Sequence, residues 1–125
     1  KFINQQDQDI FEVKQKRFVI TNSKLNALGF IDLFDFEPLH HRAGVGLAIQ
    51  KQFQDKGYGT GALVLLGLYA KKYLQLHQLY ANIAVENKIS IQLFKCQGYH
   101  FVGTKKDWNF YDDKYHDESI YQKII

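Results

Sequence analysis

The sequence predicts a mixed α/β domain, a sheet with helices packed on it, and three observations carry that prediction. Short alternating apolar segments near both ends of the chain have the two-residue period of strands. A long apolar stretch with helical period follows a cluster of glycines in "QDKGYGTGA". After it, "LYANIAV" and "NKISIQLFKCQG" repeat the order strand then helix, which places strands and helices in one alternating unit.

Taken in order, Phe18–Ile20 and Ala27–Phe36 read as two strands joined by the polar turn "TNSKLN". After "EPLHH", the stretch Arg42–Ile49 alternates: Val45, Leu47 and Ile49 point one way, and Gly44, Gly46 and Ala48 the other. A face that bare serves either close packing or a ligand lying along the strand. The helix after the glycines is expected from Tyr58 to Leu76, buried over much of its surface, with Leu63, Leu66, Ala70, Tyr73 and Leu74 supplying the apolar period. Leu79–Val85 reads as a strand. A second helix is expected over Lys88–Gln97, with Asn87 as its N-cap and Gly98 as its stop. The tail alternates on both sides of "YDDK" and reads as a closing hairpin.

With 125 residues, 46% of them apolar, the chain suffices for one domain with one core, and no linker or repeat divides it, so residues 1–125 are taken as a single domain. The net charge of +3 is spread among acids without a basic block, which points away from nucleic acid as a partner. No apolar run approaches spanning length, so no membrane association is expected, and the single Cys96 suits a reducing, cytoplasmic setting. The chain contains no methionine, and is therefore expected to be a fragment or a trimmed product.

Gly57, Gly59 and Gly61 precede a helix, where free N–H groups and the positive end of the dipole meet, so the loop is a candidate phosphate cradle. A Walker loop is excluded because Lys56 precedes Gly57 and Ala62 follows Gly61. A dinucleotide fingerprint fits poorly: the glycine spacing is wrong and "LHQLY" stands where an acid is needed. Gln54-Asp55-Lys56-Gly57-Tyr58-Gly59 resembles the Q/R-x-x-G-x-G/A signature of the GNAT superfamily of N-acetyltransferases. "VENKISIQLFKCQGYHFVG" is similar to that family's second acetyl-CoA segment, and "HHRAGVGLAI" to the strand entering its pyrophosphate loop. The resemblance runs from about Phe18 to Ile125 and is nearest to the subgroup of spermidine/spermine and ribosomal-protein N-acetyltransferases.

The resemblance implies acetyl-CoA as cosubstrate and a primary amine as acceptor, a polyamine or a peptide or protein N-terminus, attacking directly in a ternary complex. It puts the pyrophosphate on Gln54, Asp55, Lys56, Gly57, Tyr58, Gly59 and Thr60, and the pantetheine arm on Leu47, Ala48 and Ile49, with Gly46 and Ala48 leaving room. It also assigns Asn87 to the pantetheine amide and brings Ser90, Phe94 and Lys95 to the cofactor's path; Asn87 as a plain helix cap and Lys95 as a solvated lysine are equally good physics.

The usual catalytic side chains are displaced. Phe94 stands where relatives place a proton-donating tyrosine, and Gly44 where many carry a glutamate base. Glu37, His40 and His41 border the bare strand in sequence, and His41 and Glu37 are the substitute candidates for a base. These departures motivate the alternative of a non-catalytic or degenerate coenzyme A binding domain. His77, His100 and His116 show no metal-ligand spacing with Cys96, so no metal site is expected. The N-terminal strand and helix pair that cover the acceptor in the family are expected to be missing, since only "KFINQQDQDIFEVKQKR" precedes Phe18. Exposed sheet and the aromatic tail bearing Trp108, Phe110, Tyr111, Tyr115 and Tyr121 lead to the expectation of a homodimer.

Overall fold

The computed structural model describes residues 2–4 and 9–125. Its elements are β1 (Phe2–Asn4), α1 (Ile10–Val13), β2 (Lys16–Thr21), β3 (Ala27–Glu37), β4 (Arg42–Ile49), a 3-10 turn (Lys51–Phe53), α2 (Tyr58–Tyr73), β5 (Gln78–Ala84), α3 (Lys88–Cys96), β6 (His100–Tyr111) and β7 (Lys114–Ile124). The strands form one sheet in the order β1-β2-β3-β4-β5-β7-β6. Every neighbouring pair is antiparallel except β4 with β5, the pair joined by α2.

Local chemistry explains the connections. Asn22 Oδ1 accepts the N–H groups of Lys24 and Asn26 at 2.9 and 3.0 Å, which closes the β2–β3 turn. Asp112 and Asp113 both hold positive φ (53° and 59°), the two-residue geometry that matches strand twist in a tight hairpin. Asn87 accepts Ser90 N–H at 3.2 Å and caps α3, and Gly98 at φ 90° ends it.

Helices α2 and α3 lie on the face presented by Val45, Leu47, Leu79, Ala81, Ile83 and Tyr121. There Leu28, Ile31, Leu33, Phe36, Val45, Leu66 and Leu79 are wholly shielded from water. α2 buries Ala62, Leu63, Leu66 and Ala70, a single stripe. Two expectations about it are corrected. Val64, Leu65, Leu68 and Tyr73 are exposed, because only the sheet side of the helix is covered among the described residues. The helix stops at Tyr73, where Gln75 enters the left-handed region (φ 54°) and Leu76 N–H turns back to Ala70 O at 3.0 Å.

The strand part of the N-terminal expectation is also corrected. β1 pairs with β2, Phe2 opposite Ile20 and Asn4 opposite Phe18, so a leading edge strand is present. Among the described residues the helical part of this segment is one turn, α1, capped by Asp9 and closed by Lys14 at φ 65°. Ile10 is buried beneath it, and Phe11 meets Phe36 edge-on at 5.0 Å. Of the tail aromatics Tyr121 joins the core, whereas Trp108, Phe110, Tyr111 and Tyr115 stay exposed on the outer hairpin.

Candidate active site

The site begins where two strands part. β4 and β5 pair only from Arg42–Gly44 to Gln78–Tyr80, yet β4 runs on to Ile49 and β5 to Ala84. Beyond Gly44 the backbone edges of the two strands no longer serve each other, and a wedge opens in the middle of the sheet. On the helical side it leads into a cleft of about 510 Å³ walled by Leu47, Ile49, Phe53, Gln54, Asp55, Gly57, Gly59, Thr60, Lys88, Ile89, Ser90, Gln92, Leu93 and Cys96.

One wall is the start of α2. Gly57, at φ 84°, is its N-cap, and Gly61 N–H is the first to bond within the helix, to Gly57 O at 3.0 Å. The N–H groups of Tyr58, Gly59 and Thr60 therefore have no acceptor inside the helix. Gln54 braces the loop by donating from Nε2 to Ile49 O at 3.1 Å, and Asp55 holds a left-handed turn at φ 61°. Gly59 is bare for a packing reason: a Cβ there would lie 2.7 Å from Leu93 Cδ2 and 3.5 Å from Leu47 Cδ2. The opposite wall is α3, whose amino end brings Lys88 and Ser90 to the cleft. Two helix starts and a lysine make this end electropositive, with Asp55 as the acid among the lining residues.

Of the residues singled out in the sequence, Leu47, Ile49, Gln54, Asp55, Gly57, Gly59, Thr60 and Ser90 meet in the cleft. Lys56 stands in the loop beside it and Tyr58 at the first position of α2, turned edge-on to Phe53 at 6.4 Å. Asn87 is committed to capping α3. Lys95 lies outside the lining, in the last turn of α3. Phe94 is 3% exposed and packs edge-on against Tyr99 at 4.9 Å, inside the core. Tyr99 is buried with it, and that burial pushes its hydroxyl well above the usual phenol range.

Ala48 points to the other side of the sheet, as do Gly44 and Gly46, so the small residues do not make the cleft roomy; that expectation is corrected. At Gly44 close packing accounts for the bareness, because a Cβ would sit 2.4 Å from the Phe34 ring. A glutamate there would need the space the ring fills. At Gly46 only Asp32 Cβ, at 3.9 Å, comes near. Ala48 instead borders a second hollow of about 460 Å³ with Arg17, Val19, Phe30 and Gln50. Arg17 there is held bidentate by Asp32 at 2.8 and 2.9 Å and lies 3.7 Å above the Phe30 ring.

Glu37 and His41 are not brought to the cleft. His41 precedes β4 with its Nδ1 3.1 Å from Gln75 O, while the wedge opens at the other end of the strand. Six residues of extended chain separate His41 from Leu47, about 20 Å. Phe53, Lys88, Ile89, Gln92, Leu93 and Cys96 line the cleft without having been singled out for it. Ile89, Gln92, Leu93 and Cys96 share the three-and-four spacing of one helix face, which is the signal that could have found them. Among the described residues no group of three or more His, Cys, Asp or Glu side chains is placed to hold a metal ion. Among the described residues no helix is long and apolar enough to cross a membrane.

Residues 3–100 match the family model described as the Acetyltransferase (GNAT) domain. A spermidine N(1)-acetyltransferase of Vibrio cholerae is 26% identical over 108 residues, 86% of this chain and 62% of that protein. One from Escherichia coli is 29% identical over 97 residues, 78% of this chain and 52% of that protein. The chain thus spans between half and two thirds of the curated relatives it matches. In architecture it superimposes on the spermidine/spermine N-acetyltransferase SpeG from Vibrio cholerae, crystallised with manganese ions, with a TM-score of 0.82 at 24% identity, covering 88% of this chain and 65% of that one. A mutant of the same SpeG gives 0.83 over the same 88% of this chain and 65% of that one, also at 24% identity. A parted central strand pair, a glycine-led helix at its mouth and a family match across most of the chain agree: this chain belongs to the GNAT acetyltransferase family.

Proposed function

We propose that this domain binds acetyl-CoA in the cleft between α2 and α3 and transfers its acetyl group to a primary amine, a polyamine in the first instance and a peptide or protein N-terminus in the second. The observation that carries the proposal is the parting of β4 from β5 beside the uncapped start of α2. The free N–H groups of Tyr58, Gly59 and Thr60 suit a pyrophosphate, and Lys88 adds charge of the right sign. The unpaired edge of β4 offers backbone groups to the pantetheine amides, and Leu47, Ile89 and Leu93 give that arm an apolar bed. The curated relatives, named as spermidine acetyltransferases, support the choice of a polyamine.

Acetyl-CoA supplies an activated thioester; the chain supplies position. The cleft lining holds no imidazole, and its one carboxylate is Asp55 in the phosphate loop. The acceptor therefore loses its ammonium proton to water before its lone pair attacks the carbonyl carbon; as the C–S bond breaks, the new amide nitrogen sheds its second proton to solvent and the departing thiolate is protonated from solvent. Fixing an amine against the thioester accounts for the acceleration, since alignment alone can be worth about 7 to 11 kcal/mol. A binding-only domain is the reading that Phe94 and Gly44 favour. Titration with acetyl-CoA followed by turnover on polyamines, amino acids and N-terminal peptides separates the two: binding with acetylation of a polyamine is expected, and binding without turnover on any amine would leave the binding-only reading.

We infer a homodimer joined through the outer hairpin, with a cytoplasmic location and no nucleic-acid partner. β6 is an edge strand with Phe101, Trp108 and Phe110 exposed along it, a surface that a second β6 would cover by extending the sheet. Sedimentation across a concentration series is expected to show twice the chain mass; a single monomeric species throughout would refute it.

A further inference from the structure

The tip of the β6–β7 hairpin reaches across to the turn that starts α3, and three side chains meet there. The Tyr111 hydroxyl donates to Glu86 Oε1, and the His116 ring stacks on the Tyr111 ring at 3.6 Å with 3° between planes. His116 Nε2 lies 3.0 Å from Tyr111 O, and Nδ1 lies 3.4 Å from Glu86 Oε1. Both partners are acceptors, so both ring nitrogens must carry protons for both contacts to be favourable. The imidazolium satisfies the arrangement; the neutral ring turns a lone pair toward either the carbonyl or the carboxylate.

Glu86 is tied to the cleft by one peptide. Asn87, which follows it, caps α3 through Ser90 N–H, and Lys88 N–H donates to Glu86 O at 3.0 Å. Val85 N–H donates to Asp117 O on β7 at 3.2 Å, so the hairpin also grips the turn from its other side. Lys88, Ile89 and Ser90 are the residues by which α3 begins to wall the cleft. We propose that Glu86, Tyr111 and His116 form a proton-dependent latch by which the hairpin tip positions the amino end of α3, and with it one wall of the cleft.

The other charged groups around the ring do not replace its proton. Asp112 and Lys114 stand at the hairpin turn, and Asp117 is engaged by Asp107 N–H at 2.8 Å and Lys106 Nζ at 3.3 Å. Tyr111 keeps its hydroxyl proton because the hydrogen bond to Glu86 raises it above the usual phenol range. With the ring neutral, the Nδ1 contact turns from attraction to repulsion and the turn at 86–88 loosens. Glu86, Tyr111 and His116 are thus positioning residues, acting on the cleft through Asn87. The link to cofactor affinity rests on the function proposed above; the link to α3 does not.

Amide hydrogen exchange at Ser90 and Ile91, corrected for intrinsic rates, tests the latch at about pH 5.5 and about pH 8.5. Wild-type protection is expected to fall about threefold to tenfold at the higher pH, the worth of one lost hydrogen bond. His116→Gln is expected to show the lower protection at both pH values, and Tyr111→Phe to lose protection while keeping some pH response. Coenzyme A titrated into the same proteins should weaken with pH about threefold more in wild type than in His116→Gln. Wild-type protection that ignores pH, or a His116→Gln protein that keeps the wild-type response, overturns the proposal. Absence of coenzyme A binding at either pH would instead defeat the cofactor assignment, and the exchange data would still judge the latch.

Discussion

Replacing Gly59 with valine puts the cofactor assignment under the most pressure, because the fold should survive it and the cleft should not. The added Cβ would lie 2.7 Å from Leu93 Cδ2, the far end of a flexible side chain that can swing aside, and 3.5 Å from Leu47 Cδ2. Overpacking of this kind costs about 1 to 3 kcal/mol, and removing a helix glycine returns a few tenths to about 0.5 kcal/mol, so the net loss of stability is about 0.5 to 2.5 kcal/mol. Binding should suffer more: the branch projects between Leu47 and Leu93, into space the pantetheine arm needs and beside the N–H groups that would hold the pyrophosphate. Isothermal titration with coenzyme A is expected to show affinity reduced by more than about tenfold, 1.4 kcal/mol, while circular dichroism and denaturation report a folded protein. A folded Gly59→Val with wild-type affinity would refute the placement of the cofactor.

Gly57→Ala should cost about 1 to 2 kcal/mol in urea denaturation from backbone strain alone, since φ is 84° and no atom lies within 4 Å of the added Cβ; an unchanged midpoint would contradict this. Asn87→Ala removes the α3 cap and should cost about 1 kcal/mol with weaker coenzyme A binding, whereas an effect on neither would show the cap to be idle. Phe94→Tyr carries a hydroxyl into the core beside Tyr99, so stability should fall by about 1 to 3 kcal/mol without a gain in turnover; higher turnover at unchanged stability would show that the ring reaches the cleft. The Glu86 carboxyl is held below its usual range first by the Tyr111 hydroxyl and further by His116. Its contribution is therefore full above the unfolded carboxyl range and lost as pH falls through the lowered value, so Glu86→Gln should flatten the acid side of the stability profile; an unaltered acid limb would count against the contact.

The strands from β2 onward and both main helices were legible because their periods are clean: Arg42–Ile49 alternates without a break, and Asn87 and Gly98 mark α3 by side-chain capping and positive φ. The phosphate loop was legible because backbone chemistry demands glycine there. Burial of α2 was misread because composition cannot say how many sides of a helix are covered: Leu66 and Leu68 look alike in sequence, yet one is fully buried and the other 62% exposed. The direction of the small residues was misjudged for a similar reason. Alternation separates the two faces of β4 but does not say which one meets the helices, and that is decided by α2 and α3 packing over Val45 and Leu47. His41 is close to the cleft strand in sequence and far from the cleft in space, because the wedge opens at the strand's other end.

Backbone amide shifts recorded during titration with coenzyme A test the central claim most directly, since they report where the cofactor sits without requiring turnover. The account predicts the largest perturbations at Gly57, Tyr58, Gly59 and Thr60, with a second group at Leu47, Ile49 and Ser90. The far hollow at Arg17 and Phe30 and the start of β4 at His41 should stay quiet. Saturable binding with perturbations centred on Arg17 or His41, or no binding at millimolar coenzyme A, would contradict it.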